Sequence, residues 1–249
     1  MRLLCLLLLL IPFLAVEAEA NFNLPQLPPS DEYGDIIIKR TTAEGDQLPV
    51  IFQHWLHRTK FTCRVCHGEL DFQMKANATE ITERANRQGK FCGACHNGKI
   101  AFRHNGNCEK CHTGGSRTVG NKFKDFLMKN ALPMTLYGNG VNWAAGLSSG
   151  AIKPQSHIKK KSQDMKFDKE LLLEAEMSII PPAIFPHKDH VAILDCDNCH
   201  PEPFNIKKKG THFSMEQILK GEYCGACHLS VAFPMDECKR CHPGMREQM

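Results

Sequence analysis

The pattern Cys-x-x-Cys-His occurs six times in this 249-residue chain, starting at Cys63, Cys92, Cys108, Cys196, Cys224 and Cys238. The second cysteines are Cys66, Cys95, Cys111, Cys199, Cys227 and Cys241. The one cysteine outside the motifs, Cys5, lies in a segment expected to be removed. This spacing is the attachment signature of c-type haem. Two thiols reach the two vinyl groups of one porphyrin, and the adjoining histidine supplies an axial nitrogen to the iron. The motifs therefore predict six covalently bound haem c groups, with His67, His96, His112, His200, His228 and His242 as proximal ligands. Zinc would join two cysteine pairs in a tetrahedron and requires no histidine beside the second cysteine. A disulfide scaffold explains neither the constant gap nor the histidines.

Once residues 1–20 are removed, six haems leave about 38 residues each, too few for a conventional side-chain core, so the porphyrins must supply much of the buried apolar surface. The expected fold is a multihaem cytochrome c. It should be mostly irregular, with short α-helices and a small β-hairpin, its core built around haems and unfolded without them. Residues 35–39 and 48–52 flank the turn-rich Glu44-Gly45-Asp46 and read as that hairpin. Helices are expected over 82–88, 123–130, 167–177 and 215–220. Gly89 and Gly221 would stop the first and last of these. Residues 137–154 read as an irregular ordered loop in which Trp143 is a packing residue.

Arg2, an apolar run over 3–14 and the Ala18-Glu19-Ala20 cleavage site read as a signal peptide over 1–20. No later run is long and apolar enough to span a bilayer, so no transmembrane segment is expected in the mature chain. The formal charge of +4 invites a nucleic-acid reading. The propionates of six haems would cancel it, and the lysines read as propionate partners and solvated faces, so no nucleic-acid partner is expected.

The chain also repeats itself. Phe52-Gln53-His54-Trp55-Leu56-His57 matches Phe185-Pro186-His187-Lys188-Asp189-His190, and Cys92-Gly93-Ala94-Cys95-His96 matches Cys224-Gly225-Ala226-Cys227-His228. Duplication of one trihaem unit is the economical explanation. Each half resembles the trihaem cytochrome c7-type domain of the class III multihaem cytochromes, found in tandem in nanowire-like cytochromes. The division expected is an N-terminal extension over 21–33, one c7-like domain over 34–113, a connector over 114–182 and a second c7-like domain over 183–249. Each unit should build its own core, giving an extended, two-lobed chain.

The resemblance implies low-potential electron transfer among closely packed, six-coordinate haems. It also implies distal ligands: His54 for the haem at Cys63, His57 for Cys92, His187 for Cys196 and His190 for Cys224. For the haem at Cys238 the candidates are His212 and Met215, with His212 favoured because imidazole binds ferric iron more strongly than thioether. For the haem at Cys108 they are His104 and His157, with His104 favoured because it lies inside the unit.

Iron with two axial ligands has no open position, which favours outer-sphere electron transfer over catalysis. The expected function is an exported hexahaem carrier in respiratory or extracellular electron transfer, with no catalytic residue. Its partners would be cytochromes, quinol-oxidising proteins or components of an outer-membrane conduit. The periplasm is the expected location, with outer-membrane association or an extracellular place as alternatives. A multihaem oxidoreductase with one open haem, or a haem-bearing structural subunit of a larger complex, would be the competing readings.

Overall fold

Two short antiparallel hairpins lead into the two histidine pairs. In the first, β1 (Asp35–Ile38) pairs with β2 (Val50–Gln53), with Asp35 opposite Gln53. In the second, β3 (Glu170–Leu173) pairs with β4 (Ala183–Pro186), with Glu170 opposite Pro186. Each second strand runs directly into a short helix, α1 (His54–His57) after β2 and α5 (His187–Val191) after β4. The computed structural model describes residues 24–114, 118–159 and 166–245. The signal peptide read at 1–20 lies outside the described residues.

The second hairpin corrects the helix expected over 167–177. Leu171 and Leu173 are half-buried while Glu170 and Leu172 face solvent, an alternation with period two. Leu and Glu favour helix locally, but pairing with β4 satisfies the backbone and overrides that preference.

Helices α2 (Glu83–Arg87) and α6 (Met215–Leu219) lead into the second attachment motif of each half. Thr82 caps α2 by accepting from the Ala85 N–H at 3.1 Å. Ser214 caps α6 in a reciprocal box with Gln217. Gly89 and Gly221 follow with φ of +74° and +89°, the left-handed stop their sequence positions suggested. The helix ends then press on the motif backbone. A Cβ at Gly93 would lie 1.9 Å from the Asn86 carbonyl oxygen, and one at Gly225 would lie 1.8 Å from that of Ile218. Only glycine permits that approach, which explains the Cys-Gly-Ala-Cys-His form of both second motifs.

The central segment contributes α3 (Thr118–Lys129) and α4 (Trp143–Ser148), the latter inside the stretch expected to be an irregular loop. Phe123, Phe126 and Val141 form a core cluster with Trp55, which is 2% exposed, and Leu127, Leu132 and Trp143 pack around it. Trp55 also donates its indole N–H to Asp35 at 2.8 Å. The segment is thus an apolar cover for the helical turn that carries His54 and His57. Trp143 packs as expected, stacked on Phe126 and beneath the guanidinium of Arg58.

The halves are in direct contact. The Tyr33 hydroxyl donates to the Ala232 carbonyl at 2.8 Å, and the Asn198 amide donates to the His67 carbonyl at 2.9 Å. Arg64, whose side chain is 4% exposed, donates to the carbonyls of Val191 and Leu194 and pairs with Asp195. The contacts of Asn198 and Arg64 join the first attachment motif of one half to that of the other, where the repeat alone predicts separate lobes.

Candidate haem centres

All six motif histidines share one hydrogen-bonding arrangement. The Nδ1 atoms of His67, His96, His200 and His228 face the carbonyls of Phe72, Phe102, Phe204 and Phe233 at 2.8, 3.1, 2.6 and 2.9 Å. Those of His112 and His242 face Leu48 and Pro181 at 2.6 and 2.7 Å. Leu48 and Pro181 each lie four residues before the phenylalanine that opens a histidine pair, so the repeat extends to the third motif. A carbonyl can only accept, so each Nδ1 carries the proton and each Nε2 is left as a donor for metal.

The paired histidines outside the motifs are held in the same way. His54 Nδ1 faces the Gly34 carbonyl at 3.2 Å and His57 faces Gln53 at 2.8 Å. His187 faces Lys169 and His190 faces Pro186, both at 2.9 Å. One phenylalanine wedges each pair: Phe52 lies edge-on to His54 and stacks on His57, and Phe185 lies edge-on to His187 and tilted by 32° over His190.

Three of these rings lie close to motif histidines. The centroids of His54 and His67 are 6.5 Å apart with planes 4° from parallel. His57 and His96 are 6.3 Å apart, as are His190 and His228. An imidazole nitrogen binds a first-row metal at about 2.0–2.1 Å; with roughly 1.2 Å more to each ring centre, two imidazoles on opposite faces of one iron sit about 6.4 Å apart. Among the described residues no such pair joins His187 to His200, or any ring to His112 or His242.

Electrostatics agree with neutral, metal-binding rings. Burial pushes His54 down to about 3 and His228 down to about 4, and it also lowers His57, His67, His96 and His190. Burial pushes the thiols of Cys66 and Cys227 up to about 12, and those of Cys92 and Cys224 to about 11. A closed zinc site needs four protein donors, and among the described residues no three His, Cys, Asp or Glu side chains converge on one point. The twelve described cysteines are all free of disulfides. Two thiols and two neighbouring imidazoles fit a macrocycle that brings its own four nitrogens.

The other candidates are less uniform. His104 lines a surface depression with Asn86, Arg103 and Asn105. His157 Nδ1 meets the Glu69 carboxylate at 2.9 Å, and Glu69 also accepts from the Ile158 and Lys159 N–H groups. His212 is exposed, whereas Met215 is half-buried in the first turn of α6.

The family described as "Cytochrome c7 and related cytochrome c" matches residues 50–113 and 183–243. The chain belongs to this family. No curated protein matches it. Among solved structures, a "c7-type three-heme cytochrome domain" is 38% identical over 34% of this chain and 94% of its own, with a TM-score of 0.29. The "C-terminal hexaheme fragment of GSU1996" is 26% identical over 87% of this chain and 99% of its own, also with a TM-score of 0.29. The "dodecaheme cytochrome c GSU1996" is 23% identical over 84% of this chain and 73% of its own, with a TM-score of 0.28. This c7-type cytochrome is a multihaem electron-transfer protein that binds haem c, and so works with redox partners. Among the described residues no helix is long and apolar enough to cross a membrane.

The histidines are legible in the motifs and in the two paired segments, whereas the atoms that face their Nδ1 positions are not. Every acceptor is a backbone carbonyl, and its only signal is the shared spacing from Leu48 to Phe52 and from Pro181 to Phe185.

Proposed function

We propose that this protein is an exported hexahaem cytochrome that carries electrons between other redox proteins and catalyses no reaction of its own. The observation that carries the reading is the set of three close imidazole pairs at 6.3–6.5 Å. Haem, when bound, supplies a reversible one-electron ferric–ferrous couple. His54, His57 and His190 would close the sixth position opposite His67, His96 and His228, leaving no site for a substrate. By the repeat, His187 holds the corresponding place opposite His200.

For the third centre of the second half, burial favours Met215 over His212. For the centre at Cys108, His157 is better oriented than His104, because its Nδ1 is already held by Glu69. Twelve cysteines and six fixed histidines support six haems. The A-x-A leader supports export, since c-type haem is attached outside the bacterial cytoplasm. The periplasm is the proposed location, and cytochromes, quinol-oxidising proteins or outer-membrane conduit components are the proposed partners.

Carbon monoxide titration of the reduced protein, with electron paramagnetic resonance of the oxidised form, tests this reading. The expected result is low-spin iron and no stoichiometric carbon monoxide binding. A high-spin ferric signal with one carbon monoxide bound per chain would instead support an oxidoreductase with an open haem.

A further inference from the structure

Arg58 sits where the two halves meet, and among the described residues it has no anionic partner. It caps α1, with its backbone N–H donating to the His54 carbonyl at 2.9 Å. Its side chain crosses to the other half and donates to the Val231 carbonyl at 3.0 Å. Val231 is itself tied to the second motif there, its N–H donating to the Cys227 carbonyl at 2.9 Å. The guanidinium lies 4.6 Å from the centre of the Trp143 ring, which shields one face from water. Arg64, the other arginine at the junction, has Asp195 for its charge.

Resting on the haem reading above, we propose that Arg58 is a positioning residue whose charge raises the reduction potentials of two haem centres, at Cys63 in one half and at Cys224–Cys227 in the other. The reduced centre carries one positive charge fewer than the oxidised one, so a fixed cation beside it favours reduction. The change is a one-electron equilibrium, ferric to ferrous, with no bond made and no proton moved. A unit charge roughly 10 Å away in half-buried protein shifts such an equilibrium about tenfold.

The field of Arg58 reaches both sites. Arg58 is tied to the first through the His54 carbonyl that its backbone N–H caps, and to the second through Val231, whose N–H donates to the Cys227 carbonyl. His54 and Cys227 belong to the two centres named. The consequence is a pair of preferred electron sites, one on each side of the junction.

The test is a mediator-buffered redox titration of the full mature protein, followed optically and by haem-methyl NMR to assign the six couples. R58Q should lower the couples at Cys63 and Cys224–Cys227 about tenfold in their reduction equilibria, or 59 mV for a one-electron couple. The other four couples should stay in place. R58K keeps the charge and should retain most of the wild-type potential. R58M, which keeps an unbranched stem against Trp143 without the charge, should lower the same two couples and covers the case in which R58Q fails to mature. Superimposable curves, an equal shift of all six couples, or R58K behaving like R58Q would overturn the proposal. Intact mass is measured on the same samples: a wild-type protein with fewer than six haems would refute the haem reading, whereas six haems with unmoved potentials would refute only the role of Arg58.

Discussion

The side-chain amide of Asn198 donates to the backbone carbonyl of His67 at 2.9 Å, so a residue between the cysteines of the fourth motif holds the histidine of the first. Arg64, between the cysteines of the first motif, reaches back to Val191, Leu194 and Asp195. The halves should therefore unfold together. R64A, which leaves two carbonyls and Asp195 without this partner, should cost about 3 kcal/mol, and N198A about 1 kcal/mol. Urea unfolding followed by circular dichroism and by haem absorbance checks this. Two separate transitions in the wild-type protein would count against a shared junction.

The glycines of the second motifs allow a sharper comparison. G93A and G225A place a methyl group on a backbone carbonyl that has no room to move. Each should cost about 3 kcal/mol or more and reduce attachment at its own motif. A Cβ at Gly45, by contrast, would meet nothing within 4 Å, and the backbone there has a φ of −128° that any residue adopts. G45A should therefore change stability by less than about 0.5 kcal/mol, and mass spectrometry of haem-bearing peptides separates the outcomes.

Phe52 supports two rings at once, edge-on to His54 and stacked on His57. F52A should destabilise the protein by about 2 kcal/mol and loosen two centres together. Electron paramagnetic resonance should then show heterogeneous low-spin signals from two haems. F185A should do the same in the second half, through His187 and His190.

Asp35 gives a pH dependence with a definite sign. Burial is the main cause that raises its carboxyl to about 6, helped by Glu32 and Asp31 and opposed by the Trp55 hydrogen bond. A raised folded-state value means the contribution is fully present below about pH 4 and is lost as pH rises through about 6. D35N keeps an acceptor for Trp55 without the charge. Allowing for partial exposure, it should stabilise the protein by about 1 kcal/mol at pH 7 and leave it unchanged at pH 4, as read by urea unfolding at both values.

What could be read from the sequence follows from what the chemistry demands. Cys-x-x-Cys-His and Phe-x-His-x-x-His need fixed residue types at fixed spacings, so the motif residues and the phenylalanine-wedged pairs were visible. Gly93 and Gly225 were visible as identities, but the reason for them, contact with the end of the preceding helix, was not. The hairpin of β3 was hidden because Leu171, Leu172 and Leu173 between glutamates favour helix, and their partner β4 lies about ten residues further along. The contacts between the halves were hidden for another reason. Arg64 and Asn198 occupy the variable positions of their motifs, where any residue satisfies attachment and a single sequence gives no sign of a second duty.

Intact mass of the mature, haem-loaded protein bears most directly on this account. The expected mass is that of the chain from Asn21 plus six haems, with no thiol left to react with an alkylating reagent. A correctly matured protein carrying five or fewer haems, or one with free thiols at any of the six motifs, would contradict it.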